Sequence, residues 1–166
     1  MFSIQWKDNK GISVVEILAV VAVIAIALTS LLGLASFSLG VSNLLKQTTR
    51  ANFIAQETVE AVRNFRDGTT WDTDGLGTLT TEVAYYPKKS TDTPPKWQII
   101  QGEEQINGFT RKVVFNNVQR DGSDNIVESG GTNDLDTKKI TATVSWKERG
   151  RAHKVELVTY LTNWKQ

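Results

Sequence analysis

The stretch from Gly11 to Leu45 contains one charged side chain, Glu16, and it limits what this chain can fold into. A helix needs about 20 mostly apolar residues to cross the hydrocarbon core of a bilayer. Residues 12–34 meet that length and are predicted to be transmembrane. The run is longer than the apolar core of an ordinary secretory signal, and no A-x-A cleavage site follows it. We therefore expect a membrane segment near the N-terminus, followed by a more polar extramembrane part.

Charge and composition remove several functions from consideration. The 19 basic residues nearly balance the 18 acidic ones, so nucleic acid is not an expected partner. The absence of cysteine excludes disulfides, thiolate metal sites and a cysteine nucleophile. The single histidine, His153, has no second histidine with which to form a zinc site. No Ser–His or paired-carboxylate arrangement is apparent. We expect no enzymatic activity, no cofactor and no resident metal.

Glu16 is the residue of the apolar run that most needs an explanation. A carboxylate costs about 3 kcal/mol at the centre of a bilayer and less near its surface. One reading is an interfacial carboxylate, mildly favoured at a helix N-terminus by the helix dipole. The other reading is functional, which is the default for an ionisable residue inside a membrane segment.

The segment Lys10-Gly11-Ile12-Ser13-Val14-Val15-Glu16 and the apolar run after it resemble the prepilin signal of type IV pilins and type II secretion pseudopilins. The resemblance implies that residues 1–11 are a leader and that a prepilin peptidase cleaves between Gly11 and Ile12. It also implies N-methylation of Ile12 and retention of Glu16 for filament assembly. Ile12 departs from the family pattern, in which the first mature residue is usually Phe or Met.

The helix is predicted to continue beyond the membrane. Apolar residues recur at steps of three and four between Leu44 and Phe65, which indicates an amphipathic helix over residues 41–67. No proline interrupts residues 12–67, and Gly68 is a suitable stop. One long helix over residues 12–67 is therefore expected.

Residues 68–166 are predicted to form a β-rich globular domain. The predicted strands cover Glu82–Tyr86 (closed by Pro87), Trp97–Gln101, Phe109–Val118 (ended by Asp121-Gly122), the short partner Ile126-Val127, and a hairpin of 140–147 with 155–161 around residues 148–151. The expected fold class is α+β: a long N-terminal helix packed on a C-terminal antiparallel sheet, as in type IV pilins.

The C-terminal half resembles the V-class minor pilins and the I-class minor pseudopilins. The stretches that carry this similarity are Lys139–Trp146, Val155–Thr162, Phe109–Phe115 and Glu60–Asp67. The resemblance implies a minor structural subunit of a type IV pilus or type II secretion pseudopilus, placed at its initiation point or tip. The implied partners are other pilins or pseudopilins through the N-terminal helix, the prepilin peptidase, the inner-membrane assembly platform, and membrane lipid before assembly. The implied location is the inner membrane, with the C-terminal domain outside the cytoplasm.

Several alternatives remain open from the residues alone. The chain could instead be a single-pass anchored extracytoplasmic binding domain that never polymerises. Two acidic groups are weak calcium candidates, because neither has the spacing of a calcium loop; they are Asp72 with Asp74, and Asp121, Asp124, Asp134 and Asp136. His153 is interpreted as a solvated turn residue. Trp146 completes an apolar strand face and is predicted to lie in the core.

Overall fold

The computed structural model describes residues 13–164 and has the predicted α+β layout. Helix α1 covers Val14–Gly68, and a short 3-10 helix follows at Leu76–Thr78. The strands are β1 (Ala84–Lys89), β2 (Trp97–Gln101), β3 (Glu104–Ile106), β4 (Phe109–Arg120), β5 (Ile126–Val127), β6 (Thr132–Glu148) and β7 (Arg151–Thr162). All strand pairs are antiparallel.

The chain divides into two compact units, Met1–Leu44 and Leu45–Gln166. The described part of the first unit is the apolar beginning of α1, which is long and apolar enough to cross a membrane. Two of its hydroxyl groups bond to the helix itself: Thr29 Oγ1 donates to the carbonyl oxygens of Ala25 and Ile26, and Ser30 Oγ donates to that of Ile26. A hydroxyl group that is hydrogen-bonded within its own helix has a smaller free-energy cost of transfer into lipid than an unpaired one.

The second unit contains a sheet with the strand order β2-β1-β4-β6-β7. Strands β3 and β5 also pair with β4, so β4 contacts four other strands. The β6–β7 hairpin pairs Glu148 with Arg151 and turns at Arg149 and Gly150. Both turn residues have positive φ, 48° and 79°, which matches the tight turns that suit the twist of a hairpin.

The second half of α1 packs against one face of this sheet. Its buried residues are Ala51, Ile54, Ala55, Thr58, Ala61 and Val62. The three alanines let the helix backbone approach the sheet, and Thr58 Oγ1 donates to the Ile54 carbonyl, so its burial leaves no free hydroxyl. Val62 joins Phe115 and Ile140 in the core, where Phe115 meets Tyr85 edge-on at 5.6 Å between ring centroids.

The structure corrects the predicted end of the first strand. Pro87 was expected to close it, but β1 begins at Ala84 and continues through Pro87 to Lys89. Glu82 has φ of 64°, which breaks the extended conformation before Ala84. Pro87 is tolerated because β1 pairs with β4 only at Ala84 and Tyr85, and Pro87 contributes its carbonyl oxygen to Arg111 instead.

The remaining predicted strands are present, some with different ends. Strand β2 has the predicted bounds, and β5 pairs with the end of β4 as expected. Strand β6 begins at Thr132, well before the predicted start at residue 140. Strand β3 and its Asn107-Gly108 turn to β4 were not predicted.

Candidate functional site

The carboxylate of Glu16 lies in the first turn of α1. Ser13 precedes the helix, and its carbonyl oxygen accepts the backbone N–H groups of Glu16 and Ile17 at 3.0 and 3.2 Å. The Glu16 side chain is exposed and makes no ion pair or hydrogen bond with any residue between 13 and 164. A partner for this carboxylate therefore has to come from outside the described residues.

The apolar surface around Glu16 is uncovered. Within the described part of the chain, no residue of the apolar window of α1 is buried. Val15 is 73% exposed and Leu32 is 68% exposed. An exposed apolar surface of this size is typical of a segment that lipid or another protein covers.

Gly11 and Ile12, the predicted cleavage and methylation positions, lie outside the described residues. The nearest described residue of the signal is Ser13, and α1 begins at Val14.

Most of the acidic residues considered for calcium contact protein groups instead. Asp121 Oδ1 accepts backbone N–H groups from Ser123 and Asn125, both at 2.9 Å, and these bonds hold the pKa of Asp121 below its usual value. Asp134 Oδ2 accepts from Arg120 Nε at 2.7 Å, and Asp74 accepts from the backbone of Thr70. Among residues 13–164, no three acidic or histidine side chains gather as a metal site.

An aromatic row includes the single histidine. Trp146 is buried, as predicted, and its ring lies 5.6 Å from that of Phe109. His153 stacks on Trp146 at 5.4 Å with an interplanar angle of 21°. The interpretation of His153 as a solvated turn residue was wrong, because it lies in β7 and is half-buried on the face that Trp146 occupies.

A buried arginine joins several elements, and the sequence analysis did not identify it. Arg111 of β4 is 5% exposed. Its Nε donates to Glu104 Oε2 at 2.7 Å, its Nη2 donates to the Pro87 carbonyl at 2.9 Å, and its Nη1 lies 3.9 Å from Glu57 of α1. The sequence could have identified Arg111 by its position on the apolar face of β4, where a buried arginine needs a partner.

Comparisons with protein-family models, curated proteins and solved structures find no match to this chain. Residues 13–164 form an α+β protein in which a helix long and apolar enough to cross a membrane is followed in sequence by an antiparallel sheet.

Proposed function

We propose that this chain is a minor pilin or pseudopilin, a structural subunit that is processed after Gly11 and assembled into a type IV pilus or type II secretion pseudopilus. Before assembly it is a single-pass protein of the inner membrane with its β-rich domain outside the cytoplasm. Its partners are the prepilin peptidase, the assembly platform and the N-terminal helices of other subunits.

The observation that carries this proposal is the exposed carboxylate of Glu16 in the first turn of an uncovered apolar helix. A carboxylate in lipid is costly unless a cation accompanies it. Cleavage between Gly11 and Ile12 creates a free amine at the same end of the helix. The amine of a neighbouring subunit is a cation at matching depth, so stacked helices pair the charge that a lone helix leaves unpaired. A simple membrane anchor has no comparable need for Glu16.

The proposal is tested by replacing Glu16 and measuring incorporation into filaments. The chain is coexpressed with a pilus assembly machinery and a prepilin peptidase, and sheared filaments are compared with membranes by quantitative immunoblotting. We expect Glu16→Leu to insert into the membrane normally, because it lowers the cost of desolvation, and to be strongly depleted from filaments.

Thr29→Leu is the matched control. It also replaces a polar, exposed side chain of α1 by leucine, but the Thr29 hydroxyl bonds only to its own helix. It should be incorporated like the unchanged chain. Incorporation of Glu16→Leu at the level of Thr29→Leu would contradict the role of Glu16 in assembly and leave it an interfacial carboxylate. Absence of the unchanged chain from filaments would favour an anchored binding domain that does not polymerise.

A further inference from the structure

The second unit carries a basic depression at the point where the charged part of α1 begins. Lys46 and Arg50 lie one helical turn apart, and together with Lys147 of β6 they line one surface depression. All three side chains are exposed, and no carboxylate lines the depression. None of the three makes an ion pair with another residue between 13 and 164. We call this group the basic depression.

The floor of the basic depression is held in place by the turn between β3 and β4. Asn107 and Gly108 form this turn with φ of 50° and 86°, and Phe109 follows them. The Arg50 guanidinium lies over the Phe109 ring at 5.7 Å from its centroid, which fixes the arginine against the sheet. The cations therefore belong to a defined surface in which helix and sheet both take part.

Neighbouring charges add to the positive character of this end of the sheet. Arg149 and Arg151 are exposed in the β6–β7 turn that follows Lys147. Glu148, the one carboxylate in that turn, is half-buried. An anion approaching the basic depression therefore meets more positive than negative charge.

In the sequence, these cations follow directly after the end of the apolar run. Lys46 is the first charged residue after Glu16, and exposed apolar side chains continue almost up to it. Phe37, Leu39 and Leu45 are 71%, 66% and 61% exposed. An apolar segment longer than the hydrocarbon core tilts to keep such side chains in the membrane or its interface. Lysine and arginine then extend into the headgroup layer.

We propose that the basic depression binds the phosphate of an acidic lipid headgroup in the bilayer that holds α1. This inference rests on the membrane anchoring in the proposed function, and it adds a contact between the globular unit and the lipid. Each basic residue near an acidic bilayer strengthens the attraction, and salt screens it. The unassembled subunit is thereby held against the membrane, and leaving the membrane for a filament requires release of this contact.

The test uses the full chain in nanodiscs that hold one copy each. Because the chain has no cysteine, Ala152→Cys gives a single labelling position, exposed and paired with Lys147. A lipid that carries a quencher in its headgroup quenches a fluorophore at this position when the position lies close to the bilayer. Quenching is measured in nanodiscs in which phosphatidylglycerol increasingly replaces phosphatidylcholine. We expect quenching to rise with the phosphatidylglycerol fraction and to fall again at high salt.

The variant that removes the basic depression is Lys46→Gln/Arg50→Gln/Lys147→Gln. It should need at least about tenfold more acidic lipid for the same quenching, given the contribution of each basic residue. The matched control, Lys88→Gln/Lys89→Gln/Lys96→Gln, removes the same charge from the β1–β2 hairpin and should behave like the unchanged chain. Circular dichroism verifies that both variants are folded.

Three outcomes would overturn the inference. One is quenching that does not depend on phosphatidylglycerol, which would leave an acidic protein surface as the better partner. The second is an equal effect of both triple variants, which would mean unspecific attraction. The third is that inorganic phosphate, added to phosphatidylglycerol nanodiscs at constant ionic strength, abolishes the quenching, which would mean that the basic depression binds free phosphate in preference to a lipid headgroup. Processing at Gly11 and the effect of Glu16→Leu do not involve these cations, so both remain separate tests of the proposed function.

Discussion

Asp121 shows how a single side chain shapes a loop of this domain. It ends β4, and its Oδ1 accepts the backbone N–H groups of Ser123 and Asn125. The side-chain amide of Asn125 donates to the same carboxylate. An aspartate that caps a turn in this way uses its oxygens for the local backbone. These hydrogen bonds therefore stabilise the loop.

Because of these hydrogen bonds, we expect Asp121→Ala to lower the melting temperature by an amount that depends on pH. Hydrogen bonds from the Asn125 backbone, the Asn125 side chain and the Ser123 backbone lower the pKa of Asp121 from 3.8 in the folded chain. The stabilisation is complete above pH 3.8 and disappears as the pH falls through the lowered pKa. Asp121→Ala should therefore lower the melting temperature by a few degrees at pH 7, and by less as the pH falls below 3.8.

Melting curves of the full chain in detergent, measured from pH 7 downwards, give this result directly. Asp92→Ala is the control, because Asp92 is exposed in a loop and has none of these bonds. A loss of stability that stays constant across this range would contradict the assigned role of the Asp121 carboxylate.

At the scale of elements, Arg111 connects β4 to three other segments. It bonds Glu104 of β3 and the Pro87 carbonyl of β1, and it faces Glu57 of α1. Its Nη1 has no hydrogen-bond partner among the described residues. Removing one partner from a buried ion pair leaves the other charge uncompensated, whereas replacing the buried charge by an apolar side chain is often neutral. The two partners should therefore respond differently to mutation.

Glu104→Leu is predicted to lower the free energy of unfolding by about 2 kcal/mol, because it removes the carboxylate that is hydrogen-bonded to the buried guanidinium and leaves only the more distant Glu57. Arg111→Met keeps most of the volume, and Glu104 can then be solvated, since its side chain is 30% exposed. We expect Arg111→Met to change the free energy of unfolding by less than about 1 kcal/mol. Urea titrations of the full chain in detergent measure both values.

Glu103→Leu is the control for this pair. Glu103 is next to Glu104, but its salt bridge to Lys112 joins two exposed side chains, so its removal should cost about 0.5 kcal/mol or less. If Glu104→Leu cost no more than Glu103→Leu, the buried pair would not hold these elements together.

Local patterns in the sequence predict the elements better than their connections. The absence of charge and proline predicts α1, and alternation predicts the β6–β7 hairpin. The early part of β6 could not be predicted, because the register of β4 and β6 shifts between Asn117 and Val118 and only long-range pairing places Asp134 opposite Val118. Arg111 was missed because its partners come from β3 and β1.

The candidate site, like the fold, could be predicted from local sequence patterns only in part. The spacing from Gly11 to Glu16 identifies a candidate signal, and the structure adds that Glu16 is exposed at a helix start. The basic depression could not be predicted, because it combines Lys46 and Arg50 of the helix with Lys147, far away in the sequence.

At the scale of the whole molecule, the proposal predicts a low copy number. This prediction rests on the sequence resemblance to minor subunits and on the absence of a cysteine pair of the kind found in many major pilins. Minor subunits start or cap filaments, so few copies suffice. Quantitative mass spectrometry of sheared filaments should find this chain far below the most abundant pilin, and its deletion should reduce filament number more than diameter. Filaments made mainly of this chain would contradict the minor role and leave the pilin proposal intact.

The central claim is that this chain is a substrate of a prepilin peptidase. Intact-mass spectrometry of the chain, purified from membranes that contain the peptidase, tests it most directly. We predict a mature chain that begins at N-methylated Ile12, and a full-length chain with the leader retained when Gly11→Ala is introduced. An unprocessed wild-type chain, or cleavage at any position other than the Gly11–Ile12 bond, would contradict the account.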